Sequence, residues 1–159
     1  MTASYYISNL FRVACQQLGC LYVKTTSERL QKWSIDENNK TFIALLGLTQ
    51  DITVSFSQSN EVSFDLTLVA CVETTNINPE VNYYNKEVEY YQNQVDELIG
   101  RFCNFVQKNE YINTMTYNIE EAFKDPQYLG IGRGFTMSIT MNDVQDYCDD
   151  FSNNQTENI

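Results

Sequence analysis

Glu61-Val62-Ser63-Phe64-Asp65-Leu66-Thr67-Leu68-Val69-Ala70-Cys71-Val72-Glu73 is the stretch from which the fold can be read. Val62, Phe64, Leu66, Leu68, Ala70 and Val72 occupy every second position, with Glu61, Ser63, Asp65, Thr67 and Glu73 between them. A period of two matches a β-strand, whose side chains point alternately to opposite faces. One face is therefore expected to be buried, and the face with Asp65 and Thr67 to meet solvent or a partner. Thr and Ser look alike on a wet surface and on a wet interface, so the pattern leaves that choice open.

Working outward, Gln58, Ser59 and Asn60 supply turn chemistry before this strand, which predicts an antiparallel hairpin. In residues 41–56, Phe42, Ala44 and Leu46 alternate, then Gly47 intervenes, then Ile52, Val54 and Phe56 alternate: a strand, a break and a second strand. After the central strand, residues 79–108 read as a long helix. Asn78 is its candidate cap and Pro79 its first turn. Tyr84, Val88, Tyr91, Val95, Leu98, Phe102 and Phe105 step by four and three, an apolar stripe expected to pack on the chain's own sheet.

Residues 5–18 read as a second helix, with Ile7, Leu10, Phe11, Ala14 and Leu18 on one face, Ser4 as N-cap and Gly19 as the stop. Residues 21–23 start a short extended run. The polar segment 24–40, with Trp33 and Ile35 as anchors, is either an ordered loop or a short helix around residues 28–33. Toward the other end, Met115, Tyr117 and Ile119 share one face of a strand over residues 111–123, and Asp125-Pro126-Gln127 marks a turn. The last strand, residues 129–141, places Ile131, Phe135, Met137, Ile139 and Met141 opposite Gly132, Gly134, Thr136, Ser138 and Thr140. Its two glycines point to a bend or a close backbone approach.

The expected fold is α+β: an antiparallel sheet of four to five strands with an N-terminal helix and one long helix packed on it, in the order α-β-β-β-α-β-β. Residues 1–141 form a single domain, and 142–159 an acidic C-terminal tail. That tail carries Asp143, Asp146, Asp149, Asp150 and Glu157 and no base, so it is expected to stay mobile at its end. Val144, Tyr147, Cys148 and Phe151 are its apolar exceptions, candidates to dock on the domain or on a neighbouring subunit.

A chain of 159 residues, 43% of them hydrophobic, has material for a core without disulfide or metal staples. The formal net charge is −11, and the ten Lys and Arg are scattered. Gripping a nucleic-acid backbone needs bases gathered on one face, so nucleic-acid binding is excluded as the main role. The acidity serves solubility, or lets DNA slide past a wall that repels phosphate. Eleven Tyr suit surfaces that become interfaces. Five cysteines, an odd number without a CxxC spacing, together with residues 1–6 unlike an export signal, suggest a reducing cytoplasm. No stretch is apolar for long enough to suggest a membrane span.

The chain has no His, which removes the commonest general base and the common nucleophilic triads. Gly130-Ile131-Gly132-Arg133-Gly134 precedes a strand pattern and so is not read as a phosphate cradle. Glu87 with Glu89, and Glu120-Glu121, read as solvated faces. Asp149-Asp150 lacks the spacing of a calcium loop. Cys15 and Cys71 have no activating base in view. No catalytic, cofactor or metal-binding residue is expected, and no enzyme.

The order of helix, extended linker, strands, long helix and strands across residues 5–150 resembles the tail-completion, or tail-terminator, proteins of tailed bacteriophages. The Asn- and Tyr-rich composition and the ending Thr-Met-Asn-Asp-Val-Gln-Asp-Tyr-Cys-Asp look like virion proteins of phages infecting Bacteroidetes, including the crAss-like group. The resemblance implies a homo-oligomeric ring, six- or twelve-fold, in the head–tail passage. Its neighbours would be portal-proximal connector and tail proteins, with DNA crossing the lumen without specific binding, in a virion assembled in the host cytoplasm. A different reading is a monomeric intracellular adaptor that takes a protein or peptide at an exposed sheet edge. A third is an enzyme of unfamiliar type working through carboxylates.

Overall fold

The computed structural model describes residues 2–36, 40–54, 60–73, 86–122 and 131–143. Helix α1 (Ala3–Leu18) opens on Thr2, whose hydroxyl accepts the Tyr5 N–H at 3.3 Å. The cap is thus two residues before the expected Ser4, which lies inside the first turn. Gly19 closes the helix at φ 73°, a left-handed geometry that favours glycine. The Gly19 N–H bonds to Gln16 O and the Cys20 N–H to Cys15 O, satisfying the last carbonyls.

The chain continues through β1 (Leu21–Lys24), α2 (Ser27–Asp36), β2 (Phe42–Thr53), β3 (Asn60–Val72), α3 (Lys86–Gln107), β4 (Ile112–Ala122) and β5 (Ile131–Asp143). This is the expected α+β chain with five strands, an N-terminal helix and a long helix. The sheet runs β1-β2-β3-β5-β4 and is mixed rather than purely antiparallel, because β1 lies parallel to β2. Parallel neighbours need a crossover, and the polar segment after β1 supplies it by forming α2. The expected break at Gly47 is instead a register shift between Leu45 and Gly47 inside one twelve-residue strand. The shift exchanges faces: Phe42 and Ala44 lie on one side of the sheet and Ile52 on the other. The expected helix start at Asn78 and Pro79, Tyr84, Phe56 and the Asp125–Gln127 turn fall outside the described residues.

Helices α1 and α3 cover one face. Tyr6, Ile7, Leu10, Phe11 and Ala14 of α1 join Val95, Ile99, Phe102 and Val106 of α3 over Val62, Phe64, Leu66, Leu68 and Ala70. The α3 stripe is turned from the expected one. Its centre passes through Val95, Ile99, Phe102 and Val106, and Tyr91, Leu98 and Phe105 flank it half-buried. Phe102 stacks edge-on against Phe11 at 5.0 Å and Phe135 at 6.1 Å, so one ring joins both helices and β5. On the opposite face α2 covers a smaller cluster: Leu30 with Phe42, Ala44, Val69 and Cys71, and Trp33 edge-on to Phe42 at 5.1 Å.

Phe102→Ala should cost about 3–5 kcal/mol and Leu66→Ala about 2–5 kcal/mol, since both are fully buried and each leaves a cavity. Denaturant unfolding measures both, and an unchanged midpoint for either would misplace the core. A second expectation concerns alkali. Burial raises Cys71 and Cys103 from 9.0 to about 12, and raises Tyr22 from 10.0 to about 12 despite its hydrogen bond to Ser8. The unfolded chain gives up these protons near its ordinary values, whereas the folded chain holds them. Stability should therefore fall as pH rises from about 9 to 12. A melting temperature flat across that range would show that these groups are not held protonated.

Candidate functional site

Helix α2 is short and covers only one end of its face of the sheet. On that face β3 carries Glu61, Ser63, Asp65 and Thr67, then Val69 and Cys71; only the last two are buried. The cross-strand partners of the polar half are fixed by register. Gly47, Thr67, Thr136 and Asn118 share one row, and Thr49, Asp65, Ser138 and Thr116 the next. Asp51, Ser63, Thr140 and Thr114 make a third. None of these residues is buried. The result is an open carpet of hydroxyls and amides on a rigid four-strand floor.

The carpet is tied together locally. Ser138 Oγ donates to Asp65 Oδ1 at 2.9 Å, the Thr114 and Thr140 hydroxyls pair, and Asn113 Nδ2 donates to Asn142 Oδ1 at 3.0 Å. Gly47 has no side chain, and this leaves a shallow depression of about 320 Å³ edged by Thr49, Asp65, Thr67, Thr136 and Ser138. Asp51 stands opposite Ser63 and so diagonal to Glu61 and Asp65, within about 7–8 Å of each. The only base in β2 to β5 is Arg133, on the helix-covered face. On the open face these four strands therefore carry acids and no base, the nearest described bases on that side being those of α2.

Two strand edges border this face. β1 pairs with β2 only from Leu21↔Phe42 to Lys24↔Leu45, and the Thr25 N–H to Leu45 O bond at 3.1 Å is the last on that side. Beyond it, residues 47–53 of β2 have β3 on one side and, among the described residues, no strand on the other. β4 forms the opposite edge. It is set by the turn after α3, where the Asn109 side chain accepts the Tyr111 N–H at 3.0 Å and donates to the Tyr6 hydroxyl at 2.8 Å. Near its far end Arg133 reaches from β5 to Asp96 of α3 at 3.2 Å, an ion pair whose N–H is poorly aligned for a hydrogen bond, and to Glu120 O at 3.4 Å. The glycine-rich run around Arg133 is thus strand. Its register with β3 is unbroken at Gly132 and Gly134, and the irregularity falls on β4 between Ile119 and Ala122.

Of the six residues named from sequence as interface candidates, Asp65 and Thr67 lie side by side on the open face. Val144, Tyr147, Cys148 and Phe151 fall outside the described residues. An exposed sheet edge belongs to the adaptor reading, but which strands would form it was not anticipated. Their only sequence signals are the brevity of the apolar run at residues 21–23 and the charge-free run of residues 112–119. Among the described residues no three Cys, Asp or Glu side chains gather as a metal site would require, and no helix is long and apolar enough to cross a membrane. No protein-family model matches the chain, and no curated protein is similar to it.

If the open face exists to meet a partner rather than to hold the fold, Asp65→Ala and Thr67→Ala should each change unfolding free energy by less than about 0.5 kcal/mol. Losses well above 1 kcal/mol in denaturant titrations would make the hydroxyl–carboxylate carpet a structural element instead.

Proposed function

We propose that this chain is a structural subunit of a homo-oligomeric ring, of the kind that tailed phages place between head and tail, and that it performs no catalysis. The observation that carries the reading is a sheet whose two outer stretches have no further strand among the described residues, beside an acidic, hydroxyl-rich face. A subunit with two different open edges can bind a neighbour on each side. Repetition of such a head-to-tail contact closes into a ring when the rotation permits. A sheet surface bearing Asp51, Glu61 and Asp65, with no base on the open side of these strands, suits the wall of a passage for DNA, because it repels phosphate and lets the duplex move. Portal-proximal connector and tail proteins would then meet the two rims of the ring.

The same open stretch of β2 also supports a second reading, a monomeric adaptor that takes an extended peptide as an added strand. The two differ in solution mass. Light scattering of the purified chain across concentration should give a discrete species of six or twelve copies of the 18.5 kDa subunit. A monomer at every concentration would favour the adaptor.

A further inference from the structure

Natural sheet proteins guard their open edges with lysine, proline or a covering element, since an unpaired edge is a template for another strand. Here neither edge has a lysine or a proline. Residues 47–53 read Gly-Leu-Thr-Gln-Asp-Ile-Thr, with Asp51 the single charge. Residues 112–119 read Ile-Asn-Thr-Met-Thr-Tyr-Asn-Ile, with none. The chain holds 31 Asp, Glu, Lys and Arg in all, so these two stretches are poor in charge, with Glu120 and Glu121 following at the end of β4.

The edges also hold much of the stranded apolar surface. Six large apolar side chains stand exposed among the described residues: Tyr5, Ile52, Val54, Tyr90, Tyr117 and Ile119. Three of them, Ile52, Tyr117 and Ile119, belong to the two edges, and Val54 directly follows β2. Ile52 is 51% exposed, Tyr117 43% and Ile119 36%. All three lie on the helix-covered face: Ile52 is opposite buried Val62, Tyr117 opposite buried Met137, and Ile119 opposite buried Phe135. They stand beyond the reach of α1 and α3, one set at each end of the sheet.

We infer that neighbouring copies join by a β-ladder in which residues 47–53 of one copy take β4 of the next. This rests on the ring reading and specifies its joint. Strand directions agree with it. β2, β3, β5 and β4 alternate in direction, so β4 runs opposite to β2. Two copies set edge to edge with their helices on the same side therefore present an antiparallel pair. The same placement brings Tyr117 and Ile119 of one copy to the side of the sheet that carries Ile52 of the other. β1 occupies the lane beside residues 42–45 and confines the incoming strand to residues 47–53, a length of about 23 Å. Charge does not bar a second copy there: Asp51 is the one charge of residues 47–53, and residues 112–119 of the incoming strand bring none, Glu120 and Glu121 lying at its end. The carpet of hydroxyls and carboxylates would then continue from copy to copy around the ring.

The test uses the full chain and four variants. Ile52→Lys and Tyr117→Lys should each weaken self-association at least tenfold by light scattering while leaving the melting temperature unchanged, because both side chains are exposed. Ile52→Cys and Tyr117→Cys, mixed and treated with a short bis-maleimide, should yield a 52-to-117 link identified by mass spectrometry, and neither variant alone should link to itself at these positions. Links of 52 to 52 or 117 to 117 would mean a two-fold pairing and overturn the inference. Normal oligomers in both lysine variants, with no 52-to-117 link, would place the joint elsewhere and leave the ring reading standing. A wild-type chain that stays monomeric would overturn both.

Discussion

β1 pairs with β2 over four residues and stops. Because the pairing is parallel, the chain must cross over before β2 begins, and the crossover segment folds as α2 against Phe42, Ala44, Val69 and Cys71. Ten residues of helix can shield only one end of a face. The other end, where β2 continues to Thr53 and β3 begins at Asn60, has α1 and α3 on one side and, among the described residues, only polar side chains on the other. The open half-face and the open half-edge thus arise together from the brevity of one strand. A β1 of full length would have closed the edge, and a longer crossover helix would have covered the carpet.

The opposite face answers a different need. Two helices and five strands bury a continuous core there, and Phe102 lies where α1, α3 and β5 converge. That core is built without the side chains of the open face, which bond to each other. Thr, Ser and Asn bonded laterally, as Ser138 to Asp65 and Asn113 to Asn142, give a surface that stays hydrated and presents fixed dipoles. Such a surface contributes little to folding free energy, and its composition is open to requirements set by what it faces.

The element types were legible in the sequence wherever one periodicity ran unbroken. Residues 61–73 gave the central strand, residues 7–14 the face of α1, and residues 131–141 the last strand. Less was legible where two effects overlapped. On β3 the outer face changes from Glu61, Ser63, Asp65 and Thr67 to Val69 and Cys71, which is the imprint of α2 on the far side. An alternation read only for its buried set passes over that change. On β2 the slip between Leu45 and Gly47 moved the apolar positions from one face to the other, which in sequence looks like two strands. The direction of β1 had no local signature at all, because parallel and antiparallel partners share the same residues and differ only in the path between them. Asp65 and Thr67 were found because they sit on the cleanest strand. Which strands form the edges was not legible, because an edge is a property of strand order, which no single segment encodes.

Strand order also governs what the negative charge can do. A net charge of −11 on a chain of this size opposes association between copies. Opposition of that kind acts through the positions of charges, not through their sum alone. Asp51, Glu61 and Asp65 stand together on the open face, while residues 112–119 of β4 carry no charge. Were two copies to meet, one open face would repel another more than residues 112–119 would repel an incoming strand. Such a distribution would favour lateral contact over face-to-face pairing, and lateral contact by unlike edges is the geometry from which a ring can be built.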